Sequence, residues 1–323
     1  MAFIDAQNLS RSFVRYSAAK KGGVSRLWRR ERTVVEALSG ATFAVERGEL
    51  VGLIGPNGAG KSTTVKLLTG ILTPSGGTCT IDGRVPWQER KAHVRHLGAV
   101  FGQRTQLWWD VPIRDSFELL RDIYALEQAP WRQRLDMLTD ALDLGDLMNA
   151  PLRQLSLGQR MRAELCGSLL HEPALLFLDE PTIGLDAVSK LKLRAFLKEE
   201  NARGTTILLT THDMEDMLAL CNRVMVLGHG RLLYDGQLDA LLKRYDTVHT
   251  LRVAYESAPN PDGFSGLTLS RDGDAYIITY EPASQPTSAV LPQVLAAGRV
   301  REMTLKEQNV DELIARMYQE MAL

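Results

Sequence analysis

Cysteine is scarce in this 323-residue sequence: Cys79, Cys166 and Cys221 stand far apart and form no paired spacing. That excludes a disulfide scaffold and a cysteine zinc site, and the three read as buried thiols of a reducing compartment. Long apolar runs are absent too. None approaches the ~20 residues that a bilayer-spanning helix needs. The opening "MAFIDAQNLSRSF" lacks the apolar core of a signal peptide, so the expected location is cytosolic. Charge of one sign is also missing: the formal net charge is −1, which removes any global argument for nucleic-acid binding. There is no heptad run and no internal duplication. What remains, 45% hydrophobic and 24% charged residues, suits one large domain with a small one attached.

Short apolar runs supply the architecture: "LVGLI" (50–54), "LGAVF" (97–101), "ALLFL" (174–178), "TTILLT" (205–210) and "RVMVL" (223–227). They do not alternate, as expected of strands buried on both faces of a mostly parallel sheet, with helical stretches between them. "ATFAVE" (41–46) does alternate and reads as an antiparallel flanking strand. Residues 104–170 read as a helical subdomain. Residues 17–33 form a basic insertion, with Lys20, Lys21, Arg26, Arg29, Arg30 and Arg32 against Glu31 alone. It reads either as a solvated loop or as a contact to anionic headgroups or a membrane subunit. Beyond about 245, strand, hairpin, helix and strand signals precede a helix with Val310, Leu313, Ile314 and Met317 on one face. The expected division is therefore 1–244 and a small α+β domain at 245–323.

"GPNGAGKST" joins the strand "LVGLI" to a helical run. This is the phosphate-binding pattern in the strand–loop–helix setting it requires. Gly55, Pro56, Asn57, Gly58, Ala59 and Gly60 would wrap a nucleotide's phosphates with backbone N–H groups. Lys61 adds positive charge near the β/γ oxygens, and Ser62, followed by Thr63, offers a hydroxyl to Mg²⁺. Polar groups at other strand ends converge on the same reading. Asp179 suits Mg²⁺ and Glu180 suits the general base that polarises the attacking water. Gln103 suits Mg²⁺ or the attacking water, and His212 suits the γ-phosphate, although a lone loop histidine is the plainer reading of the latter.

A second helix start, "RQLSLGQRMRAEL" (153–165), has Ser156, Gly158 and Gln159 where unpaired N–H groups could meet another anion.

Taken in order, "GPNGAGKST", the Gln after "AVF", "LSLGQ", "LLFLDEPTIGLD" and "TTHD" resemble ATP-binding-cassette (ABC) ATPases through about residue 240. The resemblance implies a P-loop ABC cassette of α/β class: a mostly parallel core sheet, antiparallel flanking strands and a helical subdomain, here followed by the α+β domain. It implies ATP and Mg²⁺ as ligands and head-to-tail pairing with a second ATPase subunit, identical or not. Ser156, Leu157, Gly158 and Gln159 would then face the partner's γ-phosphate, with Asp186 at the same interface. Leu157 departs from the family's usual glycine, yet it retains the backbone N–H. Phe13, with Tyr16 as second choice, would stack on adenine; a place in the core is the other reading of either.

No membrane-spanning run means that transport would need a separate integral-membrane permease, holding this chain at the cytoplasmic face of the cell membrane. The resemblance implies that the region of Trp108 and Trp109 receives that subunit, and the pair would anchor the contact; the other reading is that one tryptophan packs inward. The tail resembles that of type-two ABC exporters, and the cassette motifs resemble a viologen-exporter group. The alternative is a soluble mechanochemical ATPase acting on nucleic acid or ribosomes. Its relatives carry two cassettes or a coiled-coil insertion, so no nucleic acid is expected here. A regulator without turnover would have lost Glu180.

Overall fold

The computed structural model describes residues 2–18, 30–102, 105–211, 213–245, 249–260, 264–282, 284–306 and 317–320. Two long antiparallel strands, β1 (Ile4–Ala18) and β2 (Arg30–Val45), come first. β3 (Leu50–Ile54) leads into α1 (Lys61–Leu68), followed by β4 (Gly76–Ile81), α2 (Arg90–Val94) and β5 (Leu97–Phe101). Helices α3 (Ile113–Tyr124), α4 (Gln128–Ala141) and α5 (Leu157–Leu169) occupy the expected helical region. The chain then alternates through β6 (Leu175–Asp179), α6 (Ala187–Ala202), β7 (Thr206–Thr210), α7 (Met214–Leu220), β8 (Arg223–Gly228) and β9 (Arg231–Gln237).

These elements form the first of two compact units, Met1–Gln237. Its six-stranded sheet has the order β5-β6-β7-β3-β8-β9. Every neighbouring pair is parallel except β8 with β9. The three-stranded sheet β2-β1-β4 is antiparallel. Val65, Leu67 and Leu68 of α1 share one buried cluster with Ile4, Leu9 and Phe43 of that sheet and Val51, Leu53 and Phe177 of the larger one. Fully burying a side chain of this size contributes roughly 1.5–3 kcal/mol. That outweighs the weak helix propensity of the Thr63–Thr64–Val65 run, so α1 is held by what it packs against.

β1 and β2 pair as far as Ser17↔Glu31 and Ala18↔Arg30. The basic insertion therefore leaves the pairing only after Ala18, later than its composition suggests. Cross-strand pairs of Phe13 with Val35 and Val14 with Val34 favour the extended form. Lys20, Lys21, Arg26 and Arg29 lie outside the described residues.

The helical region is tied to the sheet layer by charge. Arg134 of α4 meets Glu200 of α6 at 2.8 Å, both nearly buried. α6 buries Leu193, Phe196 and Leu197, but its first turns are unusual. Lys190 pairs with Asp213, and the Arg194 guanidinium lies 2.6 Å from the fully buried Asp216 of α7. The apolar Val188 and Leu191 are instead each 63% exposed.

The second unit spans Leu238–Ala322. It contains α8 (Leu238–Tyr245), β10 (His249–Tyr255), β11 (Thr268–Asp272), β12 (Ala275–Tyr280), α9 (Thr287–Ala296) and β13 (Val300–Lys306). Its four-stranded antiparallel sheet runs β11-β12-β10-β13. Val290 and Val294 of α9 pack with Leu251, Val253, Ile278 and Tyr280 in a separate core. Val310, Leu313 and Ile314 lie outside the described residues, and Met317 is buried.

Candidate active site

Register alone aligns the strand ends. Phe101 of β5 stands opposite Asp179 of β6, which stands opposite Thr210 of β7, itself opposite Leu53 of β3. The loops that follow these strands therefore leave one edge of the sheet, where open α/β sheets bind ligands.

Gly55–Gly60 leave β3 at that edge, and Gly60 is the cap residue of α1 with φ 110°. Only glycine adopts this conformation readily, and a Cβ here would come 2.6 Å from the Ala37 carbonyl oxygen. No side chain caps α1, which leaves its first N–H groups available to an anion. The Lys61 ammonium donates to the carbonyl oxygens of Gly55 (2.6 Å) and Pro56 (3.2 Å). Burial pushes its pKa down, opposed by the negative charges of Glu180 and Asp179. Lysine and both carboxylates thus share one field.

Asp179 accepts a hydrogen bond from the Thr210 hydroxyl. The Glu180 backbone N–H donates to the Thr210 carbonyl at 2.9 Å, and Glu180 has φ 56°. A non-glycine residue in the left-handed region costs on the order of 1–3 kcal/mol, and such residues concentrate at functional sites. Gly102 sits against this turn, its N–H donating to the Asp179 carbonyl at 3.1 Å. Gln103 and His212 lie outside the described residues. His212 is followed by Asp213, whose carboxylate caps α7 through the Glu215 and Asp216 N–H groups.

Ser156 caps α5 in a capping box. The Gln159 N–H donates to the Ser156 hydroxyl at 3.2 Å, and the Ser156 N–H donates to the Gln159 side chain at 2.9 Å. Leu157 is 44% exposed. Asp186 caps α6 by accepting from the Ser189 N–H and hydroxyl, both at 2.9 Å, and those bonds hold its pKa below the usual carboxylate range. Phe13 projects from β1 half-exposed, with the Arg11 guanidinium 4.8 Å from its ring centre. The Tyr16 side chain lies outside the described residues.

Two features escaped the sequence reading. A cavity of about 340 Å³ lies between the end of β5 and α5, lined by Gly102, Thr105, Trp109, Leu157, Arg160 and Glu164 among others. On its wall, buried Glu164 of α5 accepts from the Thr105 hydroxyl and the Gln106 N–H. Burial raises its pKa, and those hydrogen bonds counter the shift. Glu164 thereby ties α5 to the segment just after Gln103. An acid inside the apolar run "MRAELCGSLL" was the available signal. Trp108 and Trp109 are 40% and 45% exposed, with the Arg160 guanidinium 4.4 Å from the Trp109 ring.

Among the described residues no group of three or more His, Cys, Asp or Glu could hold a metal by itself. No helix among them is long and apolar enough to cross a membrane.

A strand–loop–helix phosphate cradle with a lysine and two strand-end acids defines a P-loop nucleoside-triphosphatase. Comparison with known proteins narrows the class. A family described as ABC transporter matches residues 38–183. The Nod factor export ATP-binding protein I of Cupriavidus pinatubonensis is 39% identical over 235 residues, covering 70% of this chain and 72% of that protein. A daunorubicin resistance ATP-binding protein of Streptomyces coeruleorubidus is 36% identical over 284 residues, covering 86% and 90%. A solved ATP-binding subunit of an ABC transporter superposes with TM-score 0.64 at 27% identity, covering 75% of this chain and 93% of that one. The chain belongs to the ABC transporter family: it is an ATP-binding subunit, an ATPase whose hydrolysis powers transport.

Proposed function

We propose that this subunit drives export of a small molecule or lipid through a separate integral-membrane permease, from the cytoplasmic face of the membrane. The observation that carries the mechanism is the strand-edge alignment of the Gly55–Thr63 loop with Asp179 and Glu180. Lys61 and the N–H groups at the start of α1 hold the β- and γ-phosphates. Glu180, set by its left-handed turn, takes the proton of the attacking water as general base. His212 contacts the γ-phosphate, and Phe13 packs one face of its ring on adenine.

Mg²⁺ fits the donor set: the Ser62 hydroxyl and the Asp179 carboxylate are hard oxygens, with Gln103 a further ligand. A small hard cation needs few protein donors when phosphate and water oxygens complete its shell. When bound, it would neutralise charge on the phosphate oxygens.

Ser156, Gly158 and Gln159 meet the γ-phosphate held by a second ATPase subunit, identical or a sibling, and Asp186 lies at that interface. Exposed Trp108 and Trp109 meet the permease. The direction is supported by the relatives, which are named for Nod factor export and daunorubicin resistance. The residues beyond 244 act as an accessory domain that aids pairing or regulates turnover. Deleting 246–323 should weaken assembly or alter coupled transport.

The test is capture of tagged Glu180→Gln subunit from detergent-solubilised native membranes with ATP and Mg²⁺. Co-purification of a polytopic membrane protein is expected. Recovery of ribosomes or nucleic acid in its place would overturn the reading.

A further inference from the structure

The start of α5 and the turn that follows Glu180 interlock through two leucine–glycine pairs. A Cβ built on Gly184 would lie 2.9 Å from Leu157 Cγ and 3.3 Å from Leu157 Cβ. A Cβ on Gly158 would lie 2.8 Å from Leu185 Cδ2. Each glycine is therefore the seat of the other segment's leucine. Gly184 has φ 74° as well, so it is doubly constrained.

The turn is continuous with the general-base candidate. The Ile183 N–H donates to the Glu180 carbonyl at 3.3 Å and the Leu185 N–H to the Thr182 carbonyl at 3.1 Å. The Thr182 hydroxyl is anchored on buried Asp216. A displacement of α5's first turn therefore bears directly on residues 184 and 185. From there it reaches Glu180 through a short hydrogen-bonded turn, because packed side chains transmit shifts instead of absorbing them.

We propose that Leu157 is a positioning residue that couples the two nucleotide sites of the paired subunits. Occupancy of Ser156–Gln159 by the partner's nucleotide shifts α5's start, and Leu157 hands that shift to the 180–186 turn of its own subunit. The inference rests on the pairing read in the preceding section. A glycine at 157 would leave Gly184 uncovered, so this chain's departure from the family's usual signature has a mechanical consequence.

The experiment is ATP titration of steady-state phosphate release by the full chain with Mg²⁺, comparing wild type with L157A, L157M and L185A. L157A keeps helix propensity and an exposed position, and a melting curve confirms folding. Expected results are a cooperative wild type, and Hill coefficients near one for L157A and L185A. The lost coupling should be roughly 5- to 150-fold between first and second site. L157M, nearly equal in volume, should keep the wild-type Hill coefficient. Folded L157A and L185A proteins with wild-type cooperativity would overturn this role while leaving the paired-site reading intact. A non-cooperative wild type would overturn the paired-site reading and this inference with it.

Discussion

At the start of α1 the cap residue is Gly60, which offers no side chain, whereas at the start of α5 it is Ser156, whose hydroxyl joins Gln159 in a closed box. Both are helix N-termini with the same stock of unpaired N–H groups. The first leaves them for a ligand and backs them with Lys61. The second already satisfies part of its own stock, so it is stable without a ligand; in the pairing we propose, a ligand reaches it only with another subunit. One site stores its specificity in glycine conformations, the other in reciprocal side-chain bonds.

Breaking the open site should have the largest effect. Lys61→Ala removes the charge proposed to face the phosphates, and Glu180→Gln the proposed proton acceptor. Each should cut phosphate release by about 10²–10⁴-fold. Glu180→Gln should still bind ATP, checked with a fluorescent analogue, and rapid turnover by this variant would remove Glu180 from its role. Ser156→Arg tests the closed site, with a long side chain where a phosphate should come. A loss of roughly 10²-fold with abolished cooperativity is expected. Unchanged turnover would reduce the α5 start to an ordinary cap.

The far end of α5 gives a pH test of the same element. His171 follows that helix, stacks on Tyr124 at 4.0 Å and donates from Nε2 to the Leu97 carbonyl at 3.0 Å. Burial pushes its pKa from 6.5 down to about 4. Between those values the unfolded chain binds the proton and the folded one does not, so stability rises with pH across the window. The contribution is whole above pH 6.5 and is lost as pH falls toward 4, on the order of 3 kcal/mol in all. Denaturant melts at pH 7 and pH 4.5 should show it, and His171→Gln should flatten the difference. The smallest effect is expected from Ser156→Ala, about 1 kcal/mol of folding stability from the lost cap. A melt of that variant with no loss would show that the box contributes nothing to the free subunit.

Local pattern explains what could be read beforehand. "LVGLI" and "GPNGAGKST" carry their structure in consecutive residues, and "LLFLDE" carries a strand and its terminal acids together. The long β1–β2 pairing was harder to see. Its register shifts between Ala6 and Leu9, Leu9 and Arg11, and Arg11 and Ser12, which scrambles the alternation that marks a strand. Glu164 was missed because its partners, Thr105 and Gln106, lie 59 and 58 residues away in sequence. The interlock of Leu157 with Gly184 is likewise a tertiary fact. From sequence, Leu157 was visible only as a departure from a family pattern.

α6 has a consequence of a different sort. Near its start the charged Lys190 and Arg194 face inward beside Leu193, while the apolar Val188 and Leu191 face outward. In a saturation scan of the isolated subunit positions 188, 190, 191 and 194 should score inside out. Polar replacements at 188 and 191 would be silent for folding. A hydrophobic residue at 194 would strand the buried charge of Asp216, at a cost of about 3–5 kcal/mol. Burial inferred from hydrophobicity would place Leu193, Phe196 and Leu197 correctly and fail at these four positions.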